Sequence, residues 1–346
     1  MTPTVPPLTR RGFLAATGLG MATALAGATA ACAGGPGGPA GAAGAAAWSF
    51  TDDRGERIER PARPQRIVAY ETTGAALWHL GVAPTGIFAG SALADSVSLH
   101  AFDTSGVTAI GTTYGQLDLE SLAAARPDLV VTAFDPRQDG PLFGFADPAM
   151  QERVASIAPI VAFDGVRDPM AVVGRFEELA RALGVEPPAG PRDGYAAAAA
   201  ELRSTLAAKP GLTAVALTAY DNQLWFARPE QFPGLRQLGQ LGLRLVSPAS
   251  PAATDVNQDF TGFFWEAVSV EEGTRYPADL VLYDPDTSSL QPDALAALPV
   301  FGTLPAVRAR QFAPWRKLED WSHAAYTADV EAVTAAARTA DPDLAP

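Results

Sequence analysis

The sequence is poor in residues that hold metal ions or form covalent cross-links. Its 346 residues include one cysteine, Cys32, and three histidines, His79, His100 and His323. One cysteine excludes an internal disulfide bond and a cysteine-based zinc site. The histidines are dispersed along the chain, whereas a receptor for free zinc or manganese needs histidines clustered with carboxylates. We therefore expect no metal ion held directly by protein side chains.

Positive charge is also scarce in this chain. It has 25 lysines and arginines against 38 aspartates and glutamates, a formal net charge of −13, and its lysines are Lys209 and Lys317. Nucleic acid binding needs clustered cations that displace phosphate counterions, so no nucleic acid partner is expected. The balance also disfavours a strongly anionic ligand, unless arginines are concentrated locally.

Motifs of catalytic sites are missing as well. The sequence has no Gly-x-Ser-x-Gly nucleophile turn, no phosphate-binding loop and no His-Glu-x-x-His motif. Asp320, Ser322 and His323 are the residue types of a hydrolase triad, but close neighbours on one segment do not converge as a triad does. We interpret the chain as a binding protein and not an enzyme. An exported enzyme remains the alternative from a different class.

The amino-terminal residues have the composition of an export signal. Arg10 and Arg11 precede a stretch of small apolar residues that is too weakly hydrophobic to be a convincing membrane span. Paired arginines before such a stretch are typical of a twin-arginine signal peptide, which we place at residues 1–31.

A tether is predicted after the signal peptide. Cys32 follows Thr29-Ala30-Ala31, which resembles a bacterial lipobox, although leucine is usual where Thr29 stands. We predict a lipid anchor at Cys32 and a flexible Gly-, Pro- and Ala-rich spacer over residues 32–47, which would span about 20–25 Å. The protein would then lie on the outer face of the cell membrane. Soluble secretion is the alternative.

One pattern occurs twice in the remaining chain. Asp118-Leu119-Glu120 leads to Asp128-Leu129-Val130, and Ser269-Val270-Glu271 leads to Asp279-Leu280-Val281, with the same eight-residue step from glutamate to aspartate. A Leu-x-x-Leu-Gly segment precedes each copy, at Leu77 to Val82 and at Leu238 to Leu243. The repeat predicts two similar halves, each with an acid-capped helix before a buried strand.

These patterns predict an α/β fold with two Rossmann-like lobes and a ligand cleft between them. Alternating strands and helices form parallel sheets covered on both faces, and ligands gather at the carboxyl ends of the strands. We place the lobes at residues 48–168 and 187–346. Asp168 and Pro169 begin an amphipathic stretch, which predicts a single long rigid helix over residues 169–186 that joins the lobes.

The chain resembles the iron–siderophore substrate-binding lipoproteins of bacterial ABC importers, the class III periplasmic binding proteins with a helical backbone. The resemblance rests on the order and spacing of Asp52-Asp53-Arg54-Gly55, Arg66-Ile67-Val68, Leu80-Gly81-Val82, Arg126-Pro127-Asp128-Leu129 and Leu304-Pro305-Ala306-Val307. It implies a monomeric receptor that grips a ferric siderophore between its lobes and delivers it to a permease dimer, with no intrinsic cofactor. Cobalamin and haem receptors share this architecture and remain alternatives.

The resemblance also assigns a role to Glu120 and Glu271. In the family, one acid on each lobe meets an arginine pocket on each half of the permease. The alternative is that both glutamates only stabilise the first turn of a helix capped by Asp118 or Ser269. Their equivalent positions in the two halves favour docking, with the helix role retained.

A ferric siderophore requires aromatic walls and a few hydrogen-bond donors from the protein. Residues that could supply them are Tyr70, Tyr114, Arg137, Trp225, Arg228, Phe263, Trp265 and Trp315. The alternative is that such aromatic residues are core and such arginines are solvated. Tyr114 lies close to where hydroxamate-binding relatives carry an arginine. Together with the acidic balance, it favours a neutral or cationic ferric hydroxamate over a catecholate or citrate complex.

Overall fold

The computed structural model describes residues 47–220, 223–317 and 320–345. The predicted export signal with Arg10 and Arg11 and the predicted lipidation site Cys32 lie outside the described residues, as does the tether up to residue 46. Within the described part, no helix is both long and apolar enough to cross a membrane.

The described residues form thirteen strands and ten α-helices. In chain order these are β1 (Trp48–Thr51), β2 (Arg57–Arg60), β3 (Ile67–Tyr70), α1 (Glu71–His79), β4 (Gly86–Phe88), β5 (Thr108–Gly111), α2 (Leu119–Ala125), β6 (Leu129–Phe134), α3 (Pro148–Ile157), β7 (Ile160–Asp164), α4 (Pro169–Ala182), α5 (Ala189–Ala207), β8 (Thr213–Tyr220), β9 (Gln223–Ala227), α6 (Pro233–Gln240), β10 (Arg244–Leu245), α7 (Phe260–Phe264), β11 (Trp265–Ser269), β12 (Leu280–Tyr283), α8 (Pro292–Ala297), α9 (Pro305–Arg308), β13 (Phe312–Pro314) and α10 (His323–Thr339).

The predicted two-lobed α/β fold is confirmed. The sheet of the first lobe has five parallel strands in the order β5-β4-β3-β6-β7. The sheet of the second lobe has the order β11-β9-β8-β12-β13, with β10 beside the start of β8. Its strands β8, β12 and β13 are parallel, and β9 runs antiparallel to both of its neighbours.

Both sheets are buried on their two faces. Along β3, Ile67 and Ala69 pack into one hydrophobic cluster, while Val68 and Tyr70 pack into another on the opposite face. The same alternation occurs along β8, where the residues are Ala214, Val215, Ala216 and Leu217. A parallel strand covered by helices on both sides needs this continuous apolar run.

The sequence repeat corresponds to equivalent hydrogen bonds in the two lobes. In the first lobe, a carboxylate oxygen of Asp128 accepts hydrogen bonds from the backbone N–H groups of Gln65 and Arg66, at 3.0 and 2.9 Å. In the second, a carboxylate oxygen of Asp279 accepts one from the N–H of Thr213 at 2.8 Å. Each aspartate therefore fixes the start of the central strand, β3 or β8.

The prediction of a capped helix in the second copy of the repeat is wrong. In the first copy, Asp118 caps α2 by accepting hydrogen bonds from the N–H groups of Glu120 and Ser121. The second copy forms only a 3₁₀ turn, Val270–Glu272, and the Ser269 side chain does not cap it. Leucine and three alanines continue α2, whereas glycine and threonine follow the second glutamate, and these two residues disfavour helix.

The helix predicted over residues 169–186 is α4, which ends at Ala182, and a second helix, α5, follows it. The predicted cap Asp168 begins α4, whose buried side chains belong to the core of the first lobe. After a break, α5 packs against α10, and both helices contribute buried side chains to the core of the second lobe. The buried carboxylate of Glu177 on α4 accepts hydrogen bonds from Arg181 and Arg192, and it lies 3.4 Å from His323 Nε2 on α10.

The chain returns to the first lobe near its carboxyl terminus. Trp321 stacks on Phe176 of α4, with ring centroids 5.8 Å apart, and both Trp321 and Tyr326 pack into the core of the first lobe. The segment after β13 therefore contacts both lobes. The lobe boundaries at residues 168 and 187 stay a prediction.

We predict that Gly144→Ala lowers the free energy of unfolding by roughly 2–4 kcal/mol. Gly144 has φ +83, and an added Cβ would lie 2.5 Å from Phe88 and 2.8 Å from Tyr70. Gly55 is the matched control, because its φ is +81 but an added Cβ meets no atom within 4 Å. Gly55→Ala should cost about 1 kcal/mol, the backbone part alone. Urea denaturation of the full chain measures both, and equal losses would contradict the steric account.

Candidate functional site

A cavity of about 520 Å³ lies between the two lobes. Its first-lobe wall is built from residues at or just after the carboxyl ends of parallel strands. Tyr70 ends β3, Tyr114 follows β5, Asp135 and Arg137 follow β6, and Val166 follows β7. This is the edge at which parallel sheets bind ligands.

The second-lobe wall of this cavity is mainly aromatic and includes Trp225, Phe232, Phe260, Phe264 and Trp265. We call this cavity the aromatic compartment. Tyr114 and Phe260 are each 55% exposed, and they are the only exposed large hydrophobic side chains among the described residues. They belong to opposite lobes and both line the compartment.

A second cavity of about 560 Å³ adjoins the first, and the two share Tyr70, Tyr114 and Lys317. This second cavity is lined mainly by side chains with hydroxyl and carboxyl groups, and we call it the acidic compartment. Its carboxylates belong to Glu71, Asp95, Asp284 and Asp286. Burial, and then the nearby Glu71 carboxylate, raise the pKa of Tyr70, so its phenol stays neutral.

Arg137 joins the two lobes at one side of the cleft. Its guanidinium forms a bidentate pair with Asp135, and its third nitrogen donates to Gln231 of the second lobe at 2.9 Å. Burial opposes ionisation of Asp135, but hydrogen bonds from Arg137 and Gln138 outweigh it and lower the pKa. Asn257 adds two hydrogen bonds across the lobes, from the N–H of Asp139 and to the Arg137 carbonyl.

Lys317 lies between the two compartments. Its ammonium donates to a carboxylate oxygen of Asp284 at 2.8 Å and to the Tyr220 hydroxyl at 2.6 Å. Burial alone would lower the pKa of Lys317, but Asp284 and Tyr220 raise it above its ordinary value. The lysine is therefore charged in the cleft.

Five of the predicted wall residues line the aromatic compartment, namely Tyr70, Tyr114, Arg137, Trp225 and Trp265. They come together because five loops or strands, three from the first lobe and two from the second, border this cleft. Among them, Arg137 already donates one N–H from each of its three nitrogens to groups of the protein.

The other three predicted wall residues do not line either cavity. Arg228 is 3% exposed and donates to the carbonyl oxygens of Gly262 and Ser250, so it holds loops together behind the wall. Trp315 is also 3% exposed, because it packs behind Phe232 and Trp265, which themselves line the cavity. Phe263 lies beside Arg137, with 5.2 Å from the guanidinium carbon to the ring centroid.

Phe260 and Lys317 line the cleft, and the sequence interpretation missed both. Lys317 could have been found, because it follows a strand ending at the carboxyl edge of its sheet, three residues after Pro314. Phe260 begins a short helix within a long polar loop, and no periodic pattern marks it.

The two acids predicted to meet the permease are exposed. Glu120 lies in the first turn of α2 and Glu271 in the 3₁₀ turn after β11, each next to the carboxyl edge of its own sheet. Hydrogen bonds from its own backbone N–H and from the Ser269 side chain lower the pKa of Glu271. The two carboxylates therefore lie at equivalent places in the repeat.

Solved structures similar to this chain include several siderophore-binding proteins, which confirms the expected resemblance. DesE from Streptomyces coelicolor, a ferric-siderophore receptor, is 28% identical, and the match covers 85% of this chain and 99% of DesE with a TM-score of 0.77. The siderophore periplasmic binding protein from the fuscachelin gene cluster of Thermobifida fusca is 22% identical over 80% and 98%, with a TM-score of 0.61. The petrobactin-binding protein YclQ from Bacillus subtilis is 14% identical over 85% and 99%, with a TM-score of 0.62. The last two show the fold alone.

No family model and no curated protein matches the chain.

Asp320, next to the wall residue Trp321, is 3% exposed. Burial raises the pKa of Asp320 to about 6, although Arg316 opposes the shift. In the unfolded chain this carboxyl titrates near pH 4. Between about pH 4 and pH 6 the folded state therefore keeps a proton that the unfolded chain has lost. The stability from this group is present at low pH and is lost as the pH rises through 6.

We predict that Asp320→Asn gains stability relative to the wild type as the pH rises from 4 to 7, by up to about 3 kcal/mol. The asparagine cannot ionise, so it avoids the cost of a buried charge at pH 7. Unfolding in urea at both pH values measures the difference between variant and wild type. The same difference at both values would show that Asp320 does not titrate in this range.

Proposed function

We propose that this chain, whose structural neighbours are siderophore-binding periplasmic proteins, is an extracytoplasmic receptor that binds a ferric siderophore and delivers it to an ABC importer. The observation that carries the proposal is the pair of exposed rings, Tyr114 and Phe260, on opposite lobes of one cleft. Exposed apolar surface in a concave site is typical of ligand binding. A ligand held between the lobes would cover both rings.

The comparisons support a binding function and not an enzymatic one. The neighbours are binding proteins, and the relative at 28% identity is a ferric-siderophore receptor. A siderophore brings its own iron ligands, so the protein need not coordinate the metal. The described residues contain no group of three or more His, Cys, Asp and Glu side chains placed to hold a metal ion.

We propose a neutral or cationic ferric hydroxamate as the ligand class. The two compartments together are lined by five carboxylates and three cations. Such a surface attracts cations and disfavours a chelate with several negative charges. An uncharged tyrosine at position 114 adds to this preference.

We further propose a monomer on the outer face of the membrane, anchored by lipid at Cys32, with 48–168 and 187–346 as lobes and 169–186 as their connection. Glu120 and Glu271 would meet cations on the two halves of the permease. Their equivalent places in a duplicated structure match a twofold-symmetric partner, and contacts between charged groups give orientation as well as affinity.

We predict that the wild type binds ferrioxamine B more tightly than a ferric tris-catecholate or ferric citrate. Tyr114→Ala and Phe260→Ala should each weaken ferrioxamine binding about 5- to 20-fold, because each removes one ring from the wall. Gln116→Ala is the control, an exposed change in the Tyr114 loop outside both compartments. Quenching of tryptophan fluorescence measures binding, since Trp225 and Trp265 line the cavity. Preference for the catecholate would contradict the hydroxamate proposal. If the protein bound cobalamin or haem and no siderophore, the proposed ligand would be wrong.

We predict that Glu120→Arg and Glu271→Arg each lower iron uptake by roughly 10-fold while siderophore affinity stays unchanged, because like charges would then face each other at the permease. Uptake of iron-labelled siderophore is measured in cells whose native copy is replaced by the variant. Glu331→Arg, an exposed reversal on α10, is the matched control. Normal uptake by the double variant Glu120→Arg/Glu271→Arg would refute the docking role.

A further inference from the structure

We propose that Lys317 and Tyr220 form a donor pair that recognises the chelating oxygens of the siderophore from the second lobe. This inference rests on the proposed function and identifies which part of the ligand the second lobe reads. Both residues line the aromatic compartment, and Lys317 lines the acidic compartment as well. Neither residue is in the set that the sequence predicts.

The pair has hydrogen-bonding capacity left over. An ammonium has three N–H donors, and two of them go to Asp284 and to the Tyr220 hydroxyl. The Tyr220 hydroxyl accepts from Lys317, so its own hydrogen remains available. One N–H of Lys317 and the O–H of Tyr220 can therefore point to the same ligand.

The donor pair is held in place by neighbouring strands. Tyr220 ends β8, Asp284 directly follows β12, and Lys317 lies three residues after β13, so the three side chains meet at one edge of adjacent parallel strands. Asp284 is 2% exposed and accepts a further hydrogen bond from Thr218 at 3.1 Å. Since the carboxylate is fixed, the lysine keeps its position before a ligand arrives.

The other cations of the cleft are committed to protein groups. Arg137 gives one N–H from each of its three nitrogens to Asp135 and Gln231, and it lines only the aromatic compartment. Arg316 donates to Asp320, Asp329 and a carbonyl oxygen near α10. Lys317 is thus the cation lining both compartments that can give a charge-assisted hydrogen bond to a ligand.

This arrangement fits a chelate whose oxygens face outward. The oxygens bound to Fe(III) keep lone pairs and partial negative charge, and a lysine beside them makes a stronger hydrogen bond than a neutral donor. One cation suits a neutral hydroxamate complex, whereas a catecholate with several negative charges would leave charge unpaired in the cleft. The first lobe would then supply rings and the second lobe would supply the charged contact.

Lys317→Met and Tyr220→Phe test the pair, with Fe(III)–ferrioxamine B as the probe and isothermal titration calorimetry as the measurement. We expect about 10- to 100-fold weaker binding for Lys317→Met and a smaller loss for Tyr220→Phe. Lys317→Met leaves the buried Asp284 carboxylate without its cation, which could weaken binding indirectly. The double variant Asp284→Asn/Lys317→Met has no unpaired carboxylate at this position, and it should bind as weakly as the single variant. Lys209→Met, which changes the other lysine of the chain, is the control, because Lys209 donates to the carbonyl oxygens of Arg338 and Ala340 at the end of α10 and lines neither compartment.

A spectroscopic measurement separates direct contact from a structural effect. Hydrogen bonds to the chelating oxygens should shift the visible charge-transfer band of ferrioxamine B on binding to the wild type, and the shift should be lost with Lys317→Met. If Lys317→Met and Asp284→Asn/Lys317→Met both kept the wild-type affinity and the wild-type band shift, the donor pair would be overturned while the receptor function stayed intact. Failure of the wild type to bind any ferric siderophore would overturn the proposed function itself.

Discussion

Parallel strands all end at the same edge of their sheet, and the cleft depends on this constraint. Between two parallel strands the chain returns to the opposite edge, so the loops that follow the parallel strands lie on one side of the sheet. Asp128 and Asp279 fix the register, since each binds the backbone at the start of a central strand. A slip of one residue would turn Tyr70 or Tyr220 to the other face of its sheet.

Two of the carboxylates that line the cleft form ion pairs within the protein. Asp135 pairs with Arg137, and Asp284 pairs with Lys317. Rings therefore provide most of the contact area, while a few polar groups provide direction, as in many small-molecule sites. The buried carboxylates also keep the cations in fixed positions, and a fixed donor loses less entropy on binding than a mobile one.

The sequence was sufficient for the architecture and for part of the wall. Strand ends and repeated motifs predicted two lobes, and they placed Tyr70 and Tyr114 at the cleft. Trp315 and Arg228 were misplaced because the sequence shows that a residue follows a strand but does not show how deeply it is packed. Trp315 is covered by Phe232, which lies 83 positions earlier. The second capped helix failed for a local reason, since glycine and threonine stand where the first copy has leucine and alanine.

The chain crosses between the lobes twice, and the two crossings are in contact. Trp321 of the second crossing stacks on Phe176 of the first, and His323 lies beside Glu177. Two adjacent, packed connections would resist sliding of the lobes, so we expect rotation about the line through these connections to be the easier relative motion. Ligand exchange would then need only a small change in angle at the side of the cleft where Arg137 and Asn257 join the lobes. If the protein docks on a permease as proposed, pulling the two lobes apart would break these hydrogen bonds.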